Sequence, residues 1–299
     1  MVLYLEIAGV VFRIESDVSI KGLKSSKLKS FQTGSTNSDV SHFYKVINDD
    51  SLALHPLTRT EEDSINKFTC FPKNNHFSNP LFKSHLIWKY LDLKETDLIA
   101  LEIQQDAITI FNHKNCEIRF FYSQSFRKDL SNFMLGPSLF TQFLANFSAV
   151  MIHSSAVIIE NKTAVFLAPD EGGKTTALKL APGYPVLSDD QNIIRKENDE
   201  FIVHNTPWSS FKNEPFKAPL GAFFLLKKGK NFKLEKLKSK EIFTYLWGEH
   251  LPYYYNLPKI IKKKYFDFLH EISFKIPGYQ ILFPKDYVDW NAIEQAMKG

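Results

Sequence analysis

Gly172-Gly173-Lys174-Thr175-Thr176 supplies, in five consecutive residues, the groups that hold a polyphosphate. Paired glycines let backbone N–H groups turn inward on phosphate oxygens. Lys174 brings a cation to the β- and γ-phosphates, and the Thr175 hydroxyl is suited to Mg²⁺. With Glu171 ahead of them, these residues form the candidate nucleotide-binding set, with ATP and Mg²⁺ as the expected ligands. Further on, Ser188-Asp189-Asp190 offers two carboxylates. In phosphoryl transfer one acid holds the metal and another accepts the proton of the attacking hydroxyl. Asp190 is assigned to the metal beside Thr175, and Asp189 to the proton. His153 is a candidate for stabilising charge or orienting an acid. The plainer alternatives are a Gly-rich turn, a capped Ser-Asp-Asp turn and a structural histidine.

These groups can meet only if particular elements position them. The run from Thr163 to Leu167 is apolar and β-leaning and feeds the loop; Ala177 to Leu180 is helix-like and follows it. Strand, loop and helix in that order are the context a phosphate loop needs. Pro182-Gly183 ends the short helix, and Tyr184 to Leu187 makes a second strand that delivers the aspartates. Upstream, Met151 to Ile159 reads as an apolar strand carrying His153, and Glu160-Asn161-Lys162 turns it into the loop strand.

The loop departs from G-x-x-x-x-G-K-[ST]. Its first position is Ala168, tolerable where φ is negative. Asp170 and Glu171 put carboxylates at an anion site, where they repel phosphate unless they face outward.

Ile152 to Val157, Ala168 to Thr176 and Leu187 to Asp190 together resemble the kinase core of HPr kinase/phosphorylase, and more distantly the nucleotide site of ATP-dependent phosphoenolpyruvate carboxykinase. The likeness is to the broad HprK-like group. Softer matches are Thr206-Pro207-Trp208 with Ala218 to Leu226, Tyr279 to Phe283, and Tyr4 to Val10. The resemblance implies a mixed α/β chain with an HprK-like P-loop kinase domain over 131–299. It also implies an ATP- and Mg²⁺-dependent kinase that phosphorylates a hydroxyl, most simply a serine of a peptide or a small metabolite. A homo-oligomer accords with it. Asp189, Asp190, His153 and Lys174 would be the catalytic set. The altered loop motivates an alternative, a nucleotide-binding regulatory protein with little or no transfer. A carboxykinase fits less well, since that chemistry needs arginine-rich contacts and Arg195 is the only arginine after residue 150.

The 299 residues suffice for two domains, and 44% hydrophobic with 23% charged residues is ordinary for a soluble globular chain. A net charge of +4 is too small to argue for nucleic acid. Cys70 and Cys116 lack the spacing of a zinc site. No apolar run reaches the roughly 20 residues of a membrane span, and no leader is evident, so a cytoplasmic protein without membrane partners is expected.

Residues 1–130 read as a mainly β domain: a hairpin over 3–14, an exposed Ser- and Lys-rich loop over 21–41, and strands near 43–47, 52–54, 99–103, 107–111 and 118–122. A helix carrying Phe133, Leu135, Phe140, Phe143 and Leu144 is expected to link the domains. Lys227 to Lys230 reads as a hairpin turn into a strand over 232–237, Ser239 as the cap of a helix, and Pro258 as the opening of another. The aromatic run Tyr253-Tyr254-Tyr255 reads as packing or as a pocket wall.

Overall fold

A computed structural model describes residues 2–16, 30–34, 42–48, 99–104, 107–112, 117–122, 144–210, 216–249 and 259–298. The expected strand at 52–54, the linking helix before residue 144, most of the 21–41 loop and the aromatic run at 253–255 lie outside them. The chain is mixed α/β and forms two compact units. One comprises Met1–Ser25, Gln32–Phe143 and Tyr253–Lys262; the other comprises Ser26–Phe31, Leu144–Pro252 and Lys263–Gly299. The expected boundary at 130 lies outside the described residues.

The first unit holds a six-stranded sheet: β1 (Val2–Ile7), β2 (Val10–Ser16), β3 (His42–Asn48), β4 (Ile99–Gln104), β5 (Ala107–Asn112) and β6 (Glu117–Tyr122), in the order β1-β2-β3-β6-β5-β4. Ala8 and Gly9, both with positive φ, turn β1 into β2, which is the expected hairpin. Leu5, Ile7, Val10, Phe12 and Ile14 are buried, following the two-residue period of a half-covered sheet.

The second unit carries the candidate site. Its strands are β7 (Ala149–Ile159), β8 (Lys162–Leu167), β9 (Val186–Ser188), β10 (Gln191–Glu197), β11 (Glu200–Asn205), β12 (Lys217–Lys228), β13 (Lys233–Lys236) and β14 (Gly278–Phe283). Its helices are α1 (Lys174–Lys179), α2 (Ser239–Glu249), α3 (Lys259–Lys275, whose first four residues cluster with the other unit) and α4 (Trp290–Lys298). The sheet order is β11-β10-β7-β8-β12-β14-β13, and β11 also pairs with β12. The pairings β7-β8-β12-β11-β10 therefore close into a ring. Two long strands make this closure: β7 gives its first residues to β10 and the rest to β8, and β12 gives its first residues to β11 and the rest to β8 and β14.

Alternation decides what each face buries. Ala164 and Phe166 of β8, Ala222, Phe224 and Leu226 of β12, and Tyr279, Ile281 and Phe283 of β14 share one core with Ala177 and Leu178 of α1 and with Trp290, Ile293 and Met297 of α4. Phe166 lies 5.5 Å from Phe224 in a stack and 5.7 Å from Trp290 edge-on, arrangements that suit the ring quadrupoles. This core seats α1 against the sheet, and α1 closes the loop that precedes it.

Two local expectations are corrected. Lys227 to Lys230 is not a hairpin turn, because β14 inserts between β12 and β13, parallel to the first and antiparallel to the second. The apolar alternation of Gly278 to Phe283 earns that strand the central position, and the lysine-rich β13 goes to the edge. The cap of α2 is Lys238 rather than Ser239. Leu237 N–H still bonds Gly278 O at 2.9 Å, so the helix turns one residue earlier, and the Glu241 carboxylate accepts the Lys238 N–H at 2.8 Å.

Candidate functional site

The register of β7 explains why the candidate residues meet. Ser154 pairs with Leu167 of β8 on one edge, and on the other its N–H donates to Asp190 O at 2.8 Å. His153, next along, pairs with Gln191. The loop after Leu167, His153 and the bend Asp189-Asp190 therefore leave the sheet at one level. Strands β9 and β10 both run along β7 in a single register, Ala156 with Ser188 and His153 with Gln191. The bend at Asp189-Asp190 lies between these two pairs, the β7–β9 register shifts between Ala156 and Val157, and the bend is pinned from beneath. The Ser188 hydroxyl donates to Gln191 O at 2.9 Å, and the buried Asn192 amide donates to Ser154 O at 2.8 Å.

The loop's backbone is equally determined. Gly172 N–H bonds Pro169 O at 2.9 Å, closing a tight turn. A Cβ at Gly172 would stand 2.6 Å from Ala168 Cβ and 2.8 Å from Pro169 O. At Gly173 φ is +105°, and a Cβ would stand 2.8 Å from Phe283 Cζ. Neither position admits a side chain. Glu171 has φ of 59°, in the left-handed region that favours glycine. Ala168 is absent from the positive-φ residues and is buried, so its methyl group is accommodated. The first helical bond of α1 joins Ala177 N–H to Gly173 O at 2.9 Å. N–H groups ahead of such a bond have no carbonyl within the helix to meet.

Lys174 is only 7% exposed. Its ammonium donates to Ala168 O at 2.7 Å and Pro169 O at 3.2 Å. Loss of hydration lowers its pKa from the ordinary lysine value, while Asp170 and Asp190 oppose the shift through space. His153 lies between two acids: Nε2 is 3.1 Å from Asp190 Oδ1, and Nδ1 is 3.7 Å from Asp170 Oδ1. Asp189 is held differently. Its Oδ1 accepts the Ser210 N–H at 2.7 Å and the Ser209 hydroxyl at 3.2 Å.

A cavity of about 400 Å³ joins these groups. Glu171, Gly172, Gly173, Lys174, Thr175 and Thr176 line one side, and His153, Asp189 and Asp190 the other. The candidate catalytic, nucleotide-binding and metal residues named from the sequence thus border one space. Asp170 and Ser210 border it too. Asp170 was expected to face away or to repel; its side chain is 88% exposed, yet it reaches His153. Ser209 and Ser210 were not singled out, because their partner Asp189 is twenty residues distant and no local pattern connects them. Their neighbours Thr206-Pro207-Trp208 gave the only nearby signal. Thr206 is buried, and its hydroxyl donates to Gln191 O at 3.0 Å, tying that segment beneath the bend.

The residues present fit a phosphate chain with Mg²⁺. A glycine pair leads into α1, a buried cation is bonded to neutral carbonyls, and Thr175 borders the same cavity as Asp189 and Asp190. Among the described residues no three His, Cys, Asp or Glu side chains are grouped to hold a metal by themselves. Mg²⁺ bound through one or two carboxylates and substrate phosphates has no need of such a group. Among the described residues no helix is long and apolar enough to cross a membrane. No protein-family model matches the chain, and no curated protein matches it in sequence.

Proposed function

We propose that this protein is an ATP- and Mg²⁺-dependent kinase of HprK-like type, transferring a γ-phosphoryl group to a hydroxyl of a peptide or small metabolite. The observation that carries the proposal is the convergence of the Gly172-to-Thr176 cradle, His153 and the two aspartates on one cavity of about 400 Å³. Gly172, Gly173, Lys174 and Thr176 would hold the phosphates, and Thr175 with Asp190 would hold Mg²⁺, which would supply charge neutralisation. Asp189, oriented by Ser209 and Ser210, takes the acceptor's proton. As it does so, the acceptor oxygen bonds phosphorus and the bond to the β-bridging oxygen breaks, leaving ADP. His153, 3.1 Å from Asp190, orients that carboxylate.

One observation favours a second reading, nucleotide binding without efficient transfer. Lys174 is turned onto the loop's own carbonyls, and Asp170 and Glu171 stand at the rim. Slow release of phosphate from ATP, with water as the acceptor, separates the two. Wild-type protein is expected to release phosphate with Mg²⁺ present, and Asp189→Asn to bind ATP but release far less. Binding without release by the wild type would favour the second reading.

A further inference from the structure

Across the loop from the phosphate cradle lies a larger cavity, of about 1200 Å³. Asp170, Glu171 and Gly172 border both spaces, so three loop residues form the partition between them. The strands explain the adjacency: β8 and β12 are parallel neighbours, so the end of β12 opens at the same level as the loop leaving β8. Leu225, Leu226, Leu237 and Tyr245 give this cavity apolar surface. Lys227, Lys228, Lys238 and Lys240 border it as well, and all four are exposed. Glu241 is the one acid on that side, and its carboxylate is engaged in capping α2 through the Lys238 N–H.

The cavity is therefore polarised. Its partition carries the Asp170 and Glu171 carboxylates, and among the described residues the rest of its charged border is four lysines and Glu241, whose carboxylate is engaged in the cap. We propose that it receives the hydroxyl acceptor, and that the acceptor is a peptide segment with apolar side chains next to the hydroxyl-bearing residue and acidic groups a few residues away. This rests on the phosphoryl-transfer reading above. The apolar surface takes the flanking side chains, the lysines take the acidic end, and the carboxylate partition keeps that end out of the phosphate cradle. The hydroxyl is thereby directed to the partition. The base and ribose of a nucleotide are the competing occupant, but they are uncharged and give four lysines nothing to meet. The volume also exceeds the roughly 300–1,000 Å³ usual for small-ligand pockets.

The test uses the full chain and two fluorescein-labelled serine peptides with identical leucine flanks, one ending in two aspartates and the other in two lysines. Binding is read by fluorescence anisotropy, and thermal shift with ATP and Mg²⁺ is measured on the same proteins. The acidic peptide is expected to bind about tenfold more tightly than the basic one, as two exposed ion pairs allow. Lys227→Glu with Lys228→Glu, and separately Lys238→Glu with Lys240→Glu, should each weaken the acidic peptide about fivefold. Neither pair should change the thermal shift with ATP. Lys285→Glu, also exposed but bordering neither cavity, should leave both measurements unchanged. Equal binding of the two peptides, binding of neither, or indifference to the lysine reversals would overturn the proposal. Loss of the ATP shift in the lysine variants, with peptide binding retained, would assign the cavity to the nucleoside and overturn it as well. Absence of an ATP shift in the wild type would instead count against the phosphoryl-transfer reading, and the lysine dependence of peptide binding would still decide what the cavity accepts.

Discussion

Glu171 combines two liabilities that substitution can separate. Its φ of 59° lies in the left-handed region, which costs a residue with a Cβ roughly 1–2 kcal/mol. Glycine removes that cost but gives back about 0.4–1 kcal/mol through the greater freedom of the unfolded chain. Glu171→Gly should therefore stabilise by about 0.5–1 kcal/mol, or roughly 1–4 °C in Tm for a domain of this size. The second liability is charge. A carboxylate about 6 Å from a phosphate would cost roughly 3 kcal/mol at an effective dielectric of about 20. Glu171 is exposed, so the realistic cost falls to about 1 kcal/mol or less, a factor of up to about five in Kd. Glu171→Ala removes the charge and keeps the strained backbone. Both variants should bind ATP with Mg²⁺ more tightly by calorimetry at low salt, with the gain shrinking as salt rises. Only Glu171→Gly should melt higher in the absence of nucleotide. Equal melting of the two variants would refute the backbone argument. Weaker ATP binding in both would refute the charge argument and give the carboxylate a direct role toward ligand or metal.

Gly173→Ala meets Phe283 Cζ at 2.8 Å and a φ of +105°, so it should destabilise by about 2–4 kcal/mol in denaturant titration; wild-type stability would disprove the loop geometry. Asp189→Asn should spare nucleotide affinity and abolish phosphate release, whereas Asp190→Asn should also weaken the Mg²⁺ dependence of binding, and equal small effects would mark the pair as a structural turn. His204 is pulled down to about 4 by burial, against the attraction of Glu197, whose Oε1 lies 2.8 Å from its Nε2. The unfolded chain takes up that proton near pH 6.5 and the folded chain only near 4. Stability is thus fully present above about pH 6.5 and falls by up to about 3 kcal/mol on acidification to about pH 4, a slope that His204→Gln should flatten in melts across that range.

Local structure was legible in the sequence and non-local pairing was not. The loop strand, α1 and the strand that delivers the aspartates follow from apolar runs bounded by glycine and proline, and the structure holds all three. The bend at Asp189-Asp190 is a local turn signal as well. What the sequence could not reveal is that β9 and β10 share one register along β7, which sets the bend beside His153. Nor could it reveal that β14, which begins fifty residues after β12 ends, inserts between β12 and β13 and brings Phe283 against Gly173. The serines that hold Asp189 were hidden for the same reason. The two acidic loop residues read as defects because their repulsion of phosphate is a local argument. Contact of Asp170 with His153, and the second cavity that both acids border, depend on the fold.

Calorimetric titration of ATP with Mg²⁺ into the wild type and into Lys174→Met bears most directly on the phosphate cradle. Methionine keeps the buried stem of Lys174 and removes its ammonium. The wild type should bind one nucleotide, and Lys174→Met, checked by circular dichroism to be folded at the titration temperature, should bind at least about tenfold more weakly, the usual loss for a charged hydrogen bond. No heat of binding in the wild type, or equal affinity in the two proteins, would contradict the cradle and the kinase built on it.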